Sequence, residues 1–473
     1  MSKAVVALLI LFFMVASCIV VTKPAFSLAD PVEDSWVSKA SMQQARAGLS
    51  VVSVNGKIYA IGGTLSTRYP PEAFVGTNEV YDPETDTWTT KASMPTPRAY
   101  FAIAAHQNKI YCIGGLVGIR KTPADPSLNL PGFVTIEELT VGQCEVYDTV
   151  TNTWKRVSSM PRNAQNIQAH VVNGKIYVID ASFTYVYDPA NDSWTSKTQM
   201  PPVSSPMSVV VGDKIIVTGE NTTKISWNIE ISEQEIFVYD TETDSWSEGS
   251  SGSIVVGQGA AGATIGTRAP QRVYVLGLAI KQWFPSPVSQ VYDPETDTWI
   301  TANPMPAKRS HFGVAVLNDI LYVIGGYFYP SYLKDGVVIQ RPRTLSGMNE
   351  QYIPIGYSPL PQVEIVSPVR QTYNESSVSL VFTLNKQVNW TGYSLDGQGN
   401  ATLAGNTTIS GLSNGLHNIT VYAKDEFGNV GASETVSFTV EVPFPIAFVA
   451  AVSAASVVIA GAGLLVYFKK RKH

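Results

Sequence analysis

The sequence predicts an all-β protein, and two observations lead to that prediction. A Tyr-Asp pair precedes a Trp five times, at Tyr81, Tyr147, Tyr187, Tyr239 and Tyr292, and the Trp follows seven residues after the Tyr each time. The flanking segments are short apolar stretches, and the chain contains 36 Gly and 29 Pro but only 15% charged residues. Low charge with many turn formers is typical of β proteins rather than helical ones.

Each Tyr–Trp motif predicts an antiparallel hairpin. One strand ends at the Tyr-Asp pair, a polar turn such as 82–87 follows, and a second strand starts at the Trp. An apolar strand pair precedes each hairpin, as at 51–61, where Asn55-Gly56 supplies the turn. Each repeat unit therefore contains four strands.

This pattern resembles the Kelch-repeat family over about residues 34–357. Gly doublets that end the second strand match the family in three units, at 62–63, 114–115 and 325–326. Units three to five depart from the doublet, with Ile179-Asp180, Thr218-Gly219 and Leu276-Gly277. The resemblance implies a six-bladed Kelch β-propeller over residues 30–358.

The two ends of the repeat region are incomplete in complementary ways. The sixth unit ends at Tyr352 with no Trp after it, and Trp36 begins a strand with no unit before it. We therefore expect the Trp36 strand to pair with the Tyr352 strand and complete the last blade. That pairing would close the ring and remove exposed sheet edges.

Residues 359–442 predict a second all-β domain. Short alternating strands, such as 378–384 and 435–440, are separated by turn clusters, which suits an immunoglobulin-like β-sandwich. The segment resembles the Ig-like repeats of prokaryotic surface proteins. We expect it to act as a glycosylated stalk.

Both ends of the chain predict membrane targeting. Residues 1–29 read as a signal peptide, with an apolar run at 4–21. An uncleaved signal anchor and a lipid-carrying Cys18 are open alternatives. The uncharged run 446–468 is long enough for a transmembrane helix, and the basic tail 469–473 predicts a short cytoplasmic C-terminus, with the bulk of the chain extracellular at the cell membrane.

Seven Asn-x-Ser/Thr sequons predict glycosylation of an exported protein. They are Asn191, Asn221, Asn374, Asn389, Asn400, Asn406 and Asn418. Cys112 and Cys144 fall on neighbouring strands of the second unit, so that a disulfide and two buried free thiols are both open.

The motifs expected of an enzyme or a nucleic-acid binder do not appear in the sequence. The net charge is −5, which argues against a nucleic-acid partner, and the five scattered His residues have no metal-ligand spacing. We expect no metal, no cofactor and no catalytic residues. An extracellular carbohydrate-acting enzyme, similar to the Kelch mutarotases, and a structural component of the cell envelope are the alternatives to a binding protein.

Long connections between the second and third strands of a unit predict the binding site. They span 64–76, 116–142, 220–235 and 327–347, and loops of this length are usually functional. They and the equivalent loop of unit five carry aromatic rings and Arg donors suited to a carbohydrate or protein ligand. The candidate residues are Arg68, Tyr69, Arg120, Trp227, Trp283, Phe284, Tyr327 and Arg341.

Overall fold

Six four-stranded antiparallel sheets follow one another along the described part of the chain. The structure is a computed structural model. It describes residues 31–67, 74–121, 135–180, 183–226, 229–252, 256–279, 286–334, 337–443 and 446–471. Residues 33–473 form one compact unit. The predicted signal peptide and Cys18 lie outside the described residues.

The first strand, β1 (Ser35–Lys39), belongs to the last sheet. Sheet 1 contains β2 (Ser50–Val54), β3 (Lys57–Ile61), β4 (Asn78–Asp82) and β5 (Thr87–Lys91). Sheet 2 contains β6 (Ala102–His106), β7 (Lys109–Ile113), β10 (Cys144–Asp148) and β11 (Thr153–Val157), with the hairpin β8 (Leu116–Lys121) and β9 (Thr135–Thr140) inserted. Sheet 3 contains β12 (Gln168–Val172), β13 (Lys175–Asp180), β14 (Phe183–Asp188) and β15 (Ser193–Lys197).

Sheet 4 contains β16 (Ser204–Val211), β17 (Lys214–Ser226), β18 (Ile229–Asp240) and β19 (Ser245–Glu248). Sheet 5 contains β20 (Val256–Ala263), β21 (Val273–Ala279), β22 (Pro287–Asp293) and β23 (Thr298–Ala302). Sheet 6 contains β25 (Gly313–Leu317), β26 (Ile320–Ile324), β31 (Asn349–Ile353) and β1. Short strands flank it: β24 (Arg309–Ser310), β27 (Tyr327–Phe328), β28 (Ser331–Lys334), β29 (Val337–Gln340) and β30 (Thr344–Leu345).

The inner strands of neighbouring sheets contact one another in a closed cycle. The cycle runs β2, β6, β12, β16, β20, β25 and back to β2. Six buried apolar clusters lie between neighbouring sheets, one at each of the six interfaces. The core is therefore distributed around the ring rather than gathered at one centre.

A repeated hydrogen-bond group, the Tyr–Asp–Trp bridge, joins each sheet to the one before it. In sheet 1, the Tyr81 hydroxyl donates to Asp86 Oδ1 at 2.6 Å, and the Ala40 N–H donates to the same oxygen at 2.9 Å. Trp88 Nε1 donates to the Ala40 carbonyl at 2.7 Å. Because Ala40 directly follows β1, the bridge fixes the chain leaving sheet 6.

The same three hydrogen bonds recur in sheets 2 to 5. In each sheet the Tyr hydroxyl and the N–H of a residue from the preceding sheet's end donate to one side-chain oxygen, and Trp Nε1 donates to the carbonyl of that same residue. In the order Tyr, acceptor, Trp and preceding residue, the sets are Tyr147, Asn152, Trp154 and Ala92 in sheet 2; Tyr187, Asp192, Trp194 and Ser158 in sheet 3; Tyr239, Asp244, Trp246 and Thr198 in sheet 4; and Tyr292, Asp297, Trp299 and Ser250 in sheet 5.

The two ends of the repeat region meet in sheet 6. Trp36 lies opposite Tyr352 in the antiparallel pair β1–β31, which is the pairing that the sequence predicts. Tyr352 donates to Asp34 Oδ1 at 2.7 Å, the Asn303 N–H donates to the same oxygen at 2.8 Å, and Trp36 Nε1 donates to the Asn303 carbonyl at 2.9 Å. The sixth bridge is therefore assembled from both ends of the ring.

Residues after 360 form two sheets around a separate core that includes Leu380, Ile419 and Phe438. One sheet contains β32 (Val363–Ser367), β34 (Ser377–Leu384) and β37 (Thr407–Ser410). The other contains β33 (Thr372–Tyr373), β35 (Trp390–Leu395), β36 (Ala401–Leu403), β38 (Gly415–Lys424), β39 (Val430–Ala432) and β40 (Val436–Val440). A two-sheet sandwich is present, and its likeness to Ig-like domains stays a prediction.

The C-terminal helix, α1, runs from Ile446 to Lys470. Within the part of the chain that the structure describes, no helix combines the length and the apolar character needed to cross a membrane. The membrane span predicted at 446–468 is therefore not supported.

The connection predicted as a loop at 220–235 is in large part strand. β17 and β18 continue their ladder from Lys214↔Asp240 out to Ser226↔Ile229, beyond the last pairing of β16 with β17 at Ser204↔Glu220. The added length here is a two-stranded arm, because β-branched residues such as Thr222, Thr223, Ile225, Ile229 and Ile231 favour extended backbone over a coil.

Replacing Asp34 by Ala should destabilise the ring. The substitution removes the acceptor for the Tyr352 hydroxyl and the Asn303 N–H. The Tyr352 hydroxyl is part-buried, and leaving a buried donor unpaired costs about 1–3 kcal/mol. We expect a lower melting temperature for Asp34→Ala than for Asp213→Ala, which removes an exposed carboxylate. Equal melting of the two variants would contradict the role of Asp34.

Candidate functional site: the mouth of the central channel

The inner strands surround a central cavity of about 770 Å³. Its rim at one end, here called the mouth, is formed by residues at the start of five of the six inner strands or just before it. These residues are Gly48, Tyr100, Asn166, Ser205 and His311. The volume lies in the range of small-molecule and cofactor pockets.

All five mouth residues adopt a left-handed backbone. The φ angles are 56° at Tyr100, 55° at Asn166, 50° at Ser205, 53° at His311 and 61° at Gly48. Residues other than Gly and Asn rarely adopt this backbone conformation, which costs about 1–2 kcal/mol per residue. Strain of this kind persists where the surrounding structure imposes it, and it clusters at functional sites.

Backbone hydrogen bonds connect the mouth residues in series. The Gly48 N–H donates to the His311 carbonyl at 2.9 Å, the Tyr100 N–H to the Gly48 carbonyl at 2.9 Å, and the Asn166 N–H to the Tyr100 carbonyl at 2.8 Å. The series crosses sheets 6, 1, 2 and 3. These bonds hold the strained turns in place.

Aromatic rings converge on one side of the mouth. The His311 ring lies 5.7 Å from the Tyr100 ring and 5.5 Å from the Tyr327 ring, both edge-on. The Tyr100 ring reaches His311 across Gly48, where a Cβ would stand 2.7 Å from the Tyr100 ring. The Arg343 guanidinium stacks 4.1 Å from the centre of the Tyr327 ring and donates to the Thr67 carbonyl at 3.0 Å.

His311 is neutral at physiological pH. Burial, together with the nearby charge of Arg343, lowers the pKa of His311 to about 4. Its Nδ1 lies 2.9 Å from the Ser310 hydroxyl, which lies 2.9 Å from the Tyr329 hydroxyl. The neutral imidazole can therefore donate or accept a hydrogen bond without carrying charge.

Buried ion pairs support the mouth in three sheets. Arg46, Arg98 and Arg309 each lie two residues before a mouth residue and are fully buried. Their partners, Glu79, Glu145 and Glu350, lie two residues before the bridge Tyr of sheets 1, 2 and 6. Each guanidinium also donates to carbonyls of its own sheet, as Arg46 does to Ala60 at 2.8 Å.

The structure describes few of the sequence-predicted site residues. Arg68, Tyr69, Trp227, Trp283 and Phe284 lie outside the described residues. The backbone of Arg120 is described on β8, but its side chain is not. Tyr327 is buried at the mouth, and Arg341 is exposed, with its N–H bonded to the Pro330 carbonyl at 2.9 Å.

Tyr100, His311 and the three buried arginines were not among the residues predicted from the sequence. One signal was available, because the same Met-x-x-x-Arg spacing occurs at Met42, Met94 and Met305, directly before each mouth segment. The left-handed turn at Tyr100 carries no such signal, since Tyr is not typical of this conformation.

The disulfide that the sequence left open between Cys112 and Cys144 is absent, and both are free, buried thiols. In the β7–β10 ladder Cys112 lies opposite Glu145, and Cys144 lies opposite Ile113. A one-residue offset places side chains on opposite faces of a sheet. Cys112 accordingly packs between sheets 1 and 2, and Cys144 between sheets 2 and 3.

The sequon asparagines are exposed wherever their side chains are described, which is at Asn191, Asn374, Asn389, Asn400, Asn406 and Asn418. The side chain of Asn221 lies outside the described set, and glycosylation stays a prediction. Across the described ranges, no cluster of three His, Cys, Asp or Glu side chains could hold a metal ion.

Comparison with known proteins identifies the repeat. Residues 45–95 and 308–339 match the Kelch motif. The chain is 25% identical to Kelch-like protein 15 of Danio rerio over 315 residues, which cover 63% of this chain and 42% of that protein. It is 28% identical to Kelch-like protein 25 of Xenopus tropicalis over 179 residues, 36% of this chain and 26% of that protein.

Two further matches are shorter or more distant. The chain is 44% identical to the influenza virus NS1A-binding protein homologue of Mus musculus over 77 residues, 16% of this chain and 11% of that protein. The solved structure of YjhT shares 15% identity at a TM-score of 0.46, covering 64% of this chain and 99% of that chain. The chain spans less than half the length of the three relatives.

Removing one charge of a buried ion pair should lower the free energy of unfolding more than removing both charges does. Arg309→Met leaves Glu350 buried without its cation, and the expected loss in the free energy of unfolding is about 3–5 kcal/mol. Arg309→Met combined with Glu350→Leu should recover most of that loss in urea denaturation. A double variant as unstable as the sum of the two single variants would contradict this account.

The free energy of unfolding should fall as the pH drops from about 6.5 towards 4. In this range His311 is protonated in the unfolded chain but stays neutral in the folded protein. For each such histidine, the free energy of unfolding changes by up to about 1.4 kcal/mol per pH unit. His311→Asn should flatten the profile while retaining the turn, since Asn166 occupies the equivalent position. His417 donates hydrogen bonds to the Ser413 carbonyl and the Asp396 carboxylate, which raise its pKa. Its contribution to the pH dependence has the opposite sign, is the same in both proteins and cancels in the comparison. Identical urea-unfolding profiles would contradict the assignment.

Proposed function

We propose that this Kelch-repeat β-propeller binds a protein partner at the mouth of its central channel. The observation that carries the proposal is the ring group of Tyr100, His311 and Tyr327, with Arg343 stacked on it, set on strained, hydrogen-bonded turns. Aromatic and Arg side chains supply most of the binding energy at protein interfaces.

The polarity of the mouth suits an extended polypeptide segment. A peptide backbone brings N–H and C=O groups that must be paired when water is excluded. His311 Nε2 has no hydrogen-bond partner among the described residues, and the neutral ring imposes no charge on the ligand. One relative, the influenza virus NS1A-binding protein homologue, is itself named for binding a protein, which agrees with this choice.

Export is a second part of the proposal. It rests on the apolar leader within residues 1–29 and on the exposed sequon asparagines. A β-lactamase reporter fused after residue 29 should become active outside the cytoplasm, and the same reporter fused to residues 22–29 alone should not. Equal activity of the two fusions would remove this part of the proposal.

Peptide selection against the full chain tests the binding function. Tyr100→Asn removes an aromatic ring but keeps a residue suited to the left-handed turn, and Arg343→Ala removes the stacked guanidinium. We expect each variant to weaken the selected peptides about tenfold or more, equivalent to about 1.4 kcal/mol. The matched control Arg370→Ala removes an exposed Arg of the sandwich and should bind as the unmodified chain does.

Two outcomes would contradict the proposal. Peptides that bind all variants equally would place the site elsewhere. A parallel glycan array that yields ligands while the peptide selection yields none would favour a carbohydrate-binding function.

A further inference from the structure

A polar cluster lies on the channel wall, away from the ring group at the mouth. Gln168 and His170 lie on β12, and Ser208 lies on the neighbouring inner strand β16. All three side chains line the cavity of about 770 Å³. They are part of neither the Tyr–Asp–Trp bridges nor the buried ion pairs.

Two backbone groups fix the orientation of the Gln168 amide. The Ser208 N–H donates to Gln168 Oε1, and Gln168 Nε2 donates to the Pro206 carbonyl at 2.7 Å. A backbone N–H can only donate and a carbonyl can only accept, so the amide cannot be reversed. Gln168 Oε1 is therefore an acceptor facing Ser208.

The amide orientation in turn fixes the tautomer of His170. The Ser208 hydroxyl donates its one proton to Gln168 Oε1 at 2.6 Å. His170 Nε2 lies 2.6 Å from the same hydroxyl oxygen, so Nε2 must be the donor in that contact. The ring proton is held on Nε2, and Nδ1 keeps its lone pair.

His170 Nδ1 has no hydrogen-bond partner in the described part of the chain. Burial lowers the pKa of His170 to about 4, so the ring is uncharged at neutral pH. Nδ1 is then a fixed, neutral acceptor in a space large enough for a ligand.

The remaining wall narrows the chemistry of that ligand. Asp180 is the one Asp, Glu, Lys or Arg among the described lining residues, which disfavours an anionic ligand. Val52, Ala261 and Val316 provide partly exposed apolar surface in the same cavity. A ligand that carries both hydroxyl groups and C–H faces would fit this wall. Its hydroxyl can donate to His170 Nδ1, and its C–H faces can pack on the apolar residues.

We propose that Gln168, His170 and Ser208 form a second binding site, which takes a neutral polyhydroxylated small molecule of monosaccharide size through His170 Nδ1. The site does not depend on the protein-binding mouth, because none of its three residues belongs to the mouth. Gln168 and Ser208 are positioning residues for the imidazole.

Nitrogen NMR of the full chain, labelled at histidine, tests the site. The probes are N-acetyl-D-glucosamine, D-galactose and myo-inositol, and His170→Phe assigns the His170 resonances. We expect the Nε2–H tautomer in the free protein and a saturable shift of His170 Nδ1 with at least one probe. Ser208→Ala should mix the tautomers and weaken binding about tenfold, since the imidazole loses its fixed orientation.

Control variants separate this site from the mouth. His106→Gln and Tyr100→Asn should leave the probe-induced shift unchanged, and loss of the shift in Tyr100→Asn would mean that the probe binds at the mouth instead. The proposal is overturned by an Nδ1–H tautomer in the free protein, by no shift with any of the three probes at high millimolar concentration, or by binding that survives His170→Phe.

Discussion

The ring depends on a single acceptor oxygen repeated in each sheet. In sheet 3, Asp192 Oδ1 accepts from the Tyr187 hydroxyl and from the Ser158 N–H, so one atom fixes its own hairpin and the chain arriving from sheet 2. These hydrogen bonds hold the pKa of Asp192 below its usual range, and burial raises that of Tyr187, which keeps the proton on the tyrosine. Asn152 performs the same task in sheet 2, so the geometry of the acceptor matters more than its charge.

Beneath the mouth, buried charge in the described residues comes as ion pairs. Sheets 6, 1 and 2 bury an Arg with a Glu beneath the mouth. In sheet 3, Tyr185 stands at the Glu position and Ala164 at the Arg position, so that both charges are replaced together. A lone buried charge is far more costly than a pair or an apolar contact. Buried ion pairs therefore support the mouth in sheets 6, 1 and 2, and sheet 3 has neither charge.

The sequence predicts the ring better than the site. The fixed Tyr-to-Trp interval was sufficient to predict the hairpins, because each hairpin is a local pattern. The pairing of the Trp36 strand with the Tyr352 strand could be predicted because the last unit lacks a strand and Trp36 lacks a unit. The meeting of Tyr100 with His311 could not be predicted, since it joins residues of sheets 2 and 6 across a glycine. The state of the two cysteines stayed open for a related reason: the sequence places them on neighbouring strands, but a one-residue offset in register decides which face each thiol occupies.

The mixed origin of sheet 6 sets an order on folding. Tyr81 donates its hydrogen bond to Asp86, five residues away in the chain, whereas Tyr352 donates to Asp34, which is 318 residues away. In a fully unfolded chain the longer closure costs about 4 kcal/mol more in chain entropy. We therefore expect the hairpins of sheets 1 to 5 to form first and to bring β1 towards β31, so that sheet 6 is the last sheet to assemble and the first to open. Cleavage by a protease, or unfolding under force, should accordingly begin in sheet 6, where β1 pairs with β31.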